Sequence, residues 1–158
     1  IFIIKLKNIM QKFLGGIGCF WDETEYQGVP GIISTECGYC GGKDPKETYE
    51  QVCGGNTEHI EVVKVTFDPK IISYENVTRL FFKIHDPTTL NRQGPNVGYQ
   101  YRSEIFYTTE EEKKSAQKVL EEVNKKLNGK VVTVIRKEKN YCKAEEYHQN
   151  YFEKRSKR

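Results

Sequence analysis

The chain has 158 residues, 30% of them charged and 37% hydrophobic, with a formal net charge of +3. That length suits one domain with a real core. The small basic excess, part of it in Lys154-Arg155-Ser156-Lys157-Arg158, comes with no nucleic-acid recognition motif, and no apolar run approaches the roughly 20 residues of a membrane span, so neither partner is expected.

The first apolar stretch, Ile1-Phe2-Ile3-Ile4, is broken by Lys5 and Lys7 and has no small-residue cleavage site. Met10 directly precedes the first patterned strand, so residues 1–9 are expected outside the fold and one domain over 10–158. Gln11–Leu14 reads as a strand closed by Gly15-Gly16, with a brief helix from about Phe20 to Gln27. Pro30-Gly31 makes a turn, and Ile32–Glu36 a second strand. Residues 38–56 are rich in Gly, Pro and Lys and read as a long loop of the functional kind. Glu61–Phe67 is a strand with Val63, Val65 and Phe67 on one face, ended by Asp68-Pro69. Ser73 caps an amphipathic helix over 74–85, and His85-Asp86-Pro87 stops it. Residues 88–102 are irregular, and Ser103–Tyr107 is a strand. Thr109 with Glu112 forms a capping box for a helix with Ala116, Val119, Leu120, Val123 and Leu127 on its apolar stripe. Asn128-Gly129 ends it, Val131–Arg136 is the last strand, and the tail beyond has no clear period. This order predicts an α+β fold: a ferredoxin-like split βαβ sandwich, with a mixed or antiparallel sheet and helices on one side, irregular active-site loops and a C-terminal tail.

The cysteines are Cys19, Cys37, Cys40, Cys53 and Cys142. An odd count without a secretory pattern favours a reducing, cytoplasmic compartment over a disulfide framework. Cys19 follows a glycine-rich turn at the start of a predicted helix, where the helix end stabilises a thiolate, and Phe20 and Trp21 follow it. It reads equally as a nucleophile and as a core thiol. Cys37, Cys40, Cys53 and His59 have the spacing C-x2-C-x12-C-x5-H, which also suits a structural zinc site. Cys37 and Cys40 alone have the spacing of a redox pair, without the strand-to-helix context. Tyr49, Glu61, Asn96, Tyr99 and Tyr101 fall at loop ends or strand edges, where packing tyrosines and exposed carboxylates are common.

Several segments together resemble the A-type peptide methionine sulfoxide reductases. They are Gly18-Cys19-Phe20-Trp21, Gly38-Tyr39 with Gly41-Gly42, Thr48-Tyr49-Glu50-Gln51-Val52-Cys53, and His59 with Glu61-Val62-Val63. His85-Asp86-Pro87, Asn91-Arg92-Gln93-Gly94, Gln100-Tyr101-Arg102-Ser103 and Ala144-Glu145-Glu146-Tyr147-His148-Gln149 continue the match in order. The resemblance implies that Cys19 attacks the sulfur of methionine S-sulfoxide, free or in proteins, and becomes a sulfenic acid. It implies that Glu61, its pKa raised by partial burial, protonates the departing oxygen. Tyr49 and Tyr101 would hold that oxygen, while Phe20, Trp21 and Asn96 would bind the substrate. The resemblance implies no metal or organic cofactor and makes thioredoxin the expected reductant; a monomer is expected.

Four departures stand out. Asn96 occupies a position where Asp is usual, and Glu58 one where Gly is common. The segment from Trp21 to Pro30 is slightly short, and no cysteine follows Cys142, although many members recycle through a C-terminal one. The zinc reading weakens, since Cys53 and His59 match the family without metal. Cys40 and Cys142 are the recycling candidates, Cys40 from a mobile loop and Cys142 from the tail; Cys37 is expected to be strand-bound, as a second relay with Cys40.

Overall fold

The computed structural model describes residues 10–16, 23–43, 51 and 58–145. Its elements are β1 (Gln11–Gly16), α1 (Glu23–Tyr26), β2 (Ile32–Cys40), β3 (Ile60–Phe67) and α2 (Tyr74–Lys83). The short strands β4 (Arg92–Gln93) and β5 (Asn96–Val97) and a 3-10 turn (Tyr99–Tyr101) follow. Then come β6 (Glu104–Tyr107), α3 (Glu110–Lys126), β7 (Val134–Lys137) and β8 (Cys142–Lys143).

Six strands form one sheet in the order β7-β6-β1-β3-β2-β8. All its pairings are antiparallel except β6 with β7. Strands β3 and β6 both run antiparallel to β1, which lies between them. They are therefore parallel to each other, and β3-α2-β6 is the split βαβ unit that the order of elements predicts.

Alternation along the strands sorts side chains onto two faces. Phe13, Cys37, Tyr39, Val63, Val65 and Phe67 join Val77 and Phe81 of α2 and Ala116 and Val119 of α3 in the main core. Leu14, Cys40, Ile60, Val62 and Phe106 form a smaller cluster on the opposite face, packed by Tyr99 and Tyr141. Both long helices thus cover one face. Their starts are capped as the sequence indicates: Asn76 N donates to Ser73 Oγ at 3.1 Å, and Glu112 N to Thr109 Oγ1 at 3.2 Å. The Glu112 carboxylate reaches back to the amide of Thr108, one residue earlier than in the usual box.

Four expectations change. First, β1 does not close before Gly15-Gly16 but runs through them. A Cβ on Gly15 would lie 2.7 Å from the Phe13 and Phe81 rings, and one on Gly16 would lie 2.3 Å from Ile60 Cδ1. The pair makes room for core side chains rather than for a turn. Second, β2 continues through Gly38 to Cys40, so the predicted long loop starts later. A Cβ on Gly38 would sit 2.6 Å from the Cys142 carbonyl oxygen, so this glycine is what lets β8 pair with β2. Third, the tail is ordered from 138 to 145: Gly41 N donates to Lys139 O at 2.7 Å, and Ala144 N to Cys37 O at 2.9 Å. Fourth, β7 begins at Val134 because the preceding residues are held elsewhere, Val132 N by Pro87 O at 2.8 Å and Thr133 by Ser103 at 2.7 Å. Residues 1–9 lie outside the described residues.

Candidate active site

Glu61 lies near the start of β3, on the face that carries Val63 and Val65. It is 4% exposed. Burial alone pushes its carboxyl up to about 8, because a buried carboxylate loses hydration that no nearby charge replaces. Tyr39 lies directly opposite on β2. On the other side, Gly16 pairs with Val62. The chain therefore leaves β1 beside Glu61, and Cys19 follows Gly16 by three residues. Cys19, Phe20, Trp21, Tyr49 and Cys53 themselves lie outside the described residues.

Beyond that segment, α1 is fastened to β2 by Glu23, which is fully buried. Its carboxylate accepts from Thr35 Oγ1 at 2.6 Å and from Cys37 Sγ at 3.0 Å. Sequence reading passed over Glu23 because an acidic residue in a short polar helix looks like surface. Tyr101 ends the 3-10 turn that packs against β3, its amide donating to Gly98 O at 3.0 Å. Asn96 sits half-buried in β5, opposite Gln93 in the small hairpin. The structure thus brings the Tyr101 turn to the strand that carries Glu61, and it sets Asn96 on the neighbouring hairpin.

The thiols are placed differently from the expectation. Cys40 is not on a mobile loop: it is the last residue of β2 and fully buried. Its thiol donates to Lys139 O at 3.4 Å, and burial pushes its pKa up to about 12. Cys37 is strand-bound, as expected, but it is three residues from Cys40 on one strand, so the two point to opposite faces. With β2 intact they can share neither a disulfide nor a metal ion, which removes both the relay and the paired-ligand core of the zinc reading. His59 Nδ1 is already taken by the Gly42 amide at 3.1 Å. Cys142 lies on the edge strand β8, partly exposed and opposite Tyr39, on the same face as Glu61.

Two polar clusters were not legible in the sequence. Glu104 is fully buried between Arg102 (Nη2, 2.5 Å) and Arg136 (Nε, 2.7 Å). His85 Nε2 lies 2.7 Å from Ser103 Oγ, which lies 2.7 Å from Thr133 Oγ1, and His85 Nδ1 faces Phe81 O at 2.6 Å. The serine–histidine distance would suit a hydrolase, but Ser103 is 2% exposed and meets no substrate. Burial lowers the His85 pKa to about 4, so the ring is neutral, donates to Phe81 O and accepts from Ser103. Both clusters bind distant segments together, so no short motif announces them. Among the described residues no helix is long and apolar enough to cross a membrane.

A buried carboxylic acid at the sheet end where a cysteine-bearing segment departs is the equipment of a thiol-based oxidoreductase. The sequence profile of peptide methionine sulfoxide reductase matches residues 11–158. The chain belongs to the peptide methionine sulfoxide reductase family. It is 58% identical over 141 residues to peptide methionine sulfoxide reductase MsrA of Pelagibacter ubique, covering 89% of this chain and 96% of that protein. It is 51% identical over 142 residues to the protein of that name from Saccharolobus solfataricus, covering 89% and 80%. Among solved structures, Mxr1 of Saccharomyces cerevisiae in reduced form superposes with a TM-score of 0.90 at 38% identity, over 96% of this chain and 88% of that one. Mxr1 in complex with Trx2 gives 0.66 at 28% identity, over 89% and 85%.

Proposed function

We propose that this chain reduces the S epimer of methionine sulfoxide, free or within proteins, with Cys19 as nucleophile and Glu61 as proton donor. Glu61 carries the reading: a carboxyl shifted to about 8 holds its proton at neutral pH and can give it to the sulfoxide oxygen as that oxygen leaves sulfur. In the net step the oxygen passes from the substrate sulfur to Cys19. The sulfoxide is reduced by two electrons to the thioether, and the Cys19 thiol is oxidised to sulfenic acid. Tyr49 and Tyr101 hold the oxygen, and Phe20, Trp21 and Asn96 receive the methionine side. Asn96 does so without the charge an Asp would bring. Two thiol equivalents then return Cys19 to the thiol, releasing water and a disulfide. Thioredoxin is the partner that supplies them, a choice supported by the Mxr1–Trx2 complex. The cytoplasm, where thiols stay reduced, is the compartment this chemistry suits.

The test is incubation with racemic methionine sulfoxide and dithiothreitol. The S epimer is consumed, the R epimer remains, and Cys19→Ser is inactive. Glu61→Gln slows the first turnover by on the order of a hundredfold or more, with substrate binding changed less. Equal consumption of both epimers, or full activity in Cys19→Ser, refutes the proposal.

A further inference from the structure

The wall that dries Glu61 is itself held by a second pair of residues. Tyr39 is fully buried and directly opposite Glu61. Residues so paired have Cβ atoms roughly 5 Å apart, close enough for a tyrosine ring to screen a carboxyl from water. The ring is fixed at both ends: its backbone is in β2, and its hydroxyl donates to Glu145 Oε2 at 2.8 Å. A hydroxyl bound to a carboxylate is held more firmly than one bound to a neutral acceptor. Glu145 lies two residues past β8, in the segment that Ala144 N ties to Cys37 O. Of the titratable groups around Glu61, Tyr39 and, diagonally, Cys37 come from β2. Tyr101 comes from the turn packed on β3, whose Tyr99 packs on the opposite face of the sheet, and His59 lies just before the strand.

We propose that Tyr39 and Glu145 are a positioning pair that seals Glu61 from water and so sets the pH range in which it can donate its proton. The inference rests on Glu61 being the donor. Tyr39→Phe keeps the ring but cuts its tether, so water reaches the carboxyl more often. Glu145→Ala cuts the same tether from the other end. Glu145→Gln keeps an acceptor for the hydroxyl and rescues the arrangement.

The experiment is the pH profile of methionine release in a single turnover, without added reductant. In the unaltered protein the rate falls off near pH 8. In Tyr39→Phe and in Glu145→Ala the falling limb moves down by about one unit, costing roughly threefold at pH 7.5 and little at pH 6. The double variant moves no further than either single one, and Glu145→Gln keeps the original limb. Glu61→Gln is the control and abolishes the limb. If the limb is lost in Glu61→Gln yet unmoved in Glu145→Ala and in folded Tyr39→Phe, the positioning pair is refuted and the donor stands. If the limb persists in Glu61→Gln, the donor reading fails and this inference fails with it. Should Tyr39→Phe not fold, the partly exposed Glu145 carries the test.

Discussion

Glu61 bears a thermodynamic cost for its chemistry. Its folded pKa of about 8 lies above the unfolded value of 4.5, so the folded state holds the proton more tightly. The associated stability is fully present below pH 4.5 and is lost as pH rises toward 8, on the order of a few kcal/mol. Glu61→Gln, which cannot ionise, escapes that loss. Urea unfolding at pH 4 and pH 8.5 is the measurement: the gap between variant and unaltered protein widens in favour of the variant at the higher pH. A constant gap would mean that the carboxyl is hydrated. Glu58 is a smaller case. It has φ +62°, left-handed backbone that suits glycine, and its ion pair with Lys43 at 3.4 Å is exposed and worth little. Glu58→Gly should raise the urea midpoint by an amount equivalent to about 0.5–1 kcal/mol, the net of relieved strain and added unfolded-state entropy.

At the scale of the element, β2 decides which thiols can act. It points Cys37 into the main core and Cys40 into the opposite cluster, and it holds β8 through a ladder of two residue pairs. Gly38→Ala places a methyl against the Cys142 carbonyl and the Tyr141 ring. It should release β8 while leaving the β2–β3 ladder intact. Alkylation followed by mass mapping should then show Cys142 labelling several-fold faster, Cys40 still slow, and far-UV circular dichroism nearly unchanged. Mild oxidation of the unaltered protein should give no Cys37–Cys40 disulfide; finding one would mean that β2 opens in solution.

Across the whole molecule, the Arg102–Glu104–Arg136 cluster joins β6 to β7 and to the turn before β6. Glu104→Gln leaves two partly exposed guanidinium groups without their buried counter-charge, which costs about 1–3 kcal/mol and is read as a lower urea midpoint. The same scale explains what the sequence could and could not convey. Strands such as β3 and helices such as α2 and α3 were legible because period and caps are local. The reach of β2 was hidden because Gly38 looks like loop punctuation until Tyr141 and Cys142 are seen packing over it. The candidate acid was recognisable only through family resemblance, since the burial that raises Glu61 comes from tertiary packing, in which its cross-strand neighbour Tyr39 is 22 positions away in sequence. The thiol geometry was misjudged at Cys40 for a related reason: a spacing of two intervening residues converges on a turn and diverges on a strand.

The neutral His85, bonded at both nitrogens, has an effect that shows only beside Glu61. Its folded pKa of about 4 lies below the ordinary 6.5, so stability from this ring is present above pH 6.5 and lost as pH falls toward 4. Glu61 slopes the other way from pH 4.5 to 8. Between about pH 4.5 and 6.5 unfolding takes up one proton at the histidine and releases one at the glutamate, and the net exchange from this pair is zero. The two residues therefore buffer each other: over those two pH units their joint effect on the folding equilibrium is a plateau, because the stability lost at the histidine on acidification is offset by that gained at the glutamate.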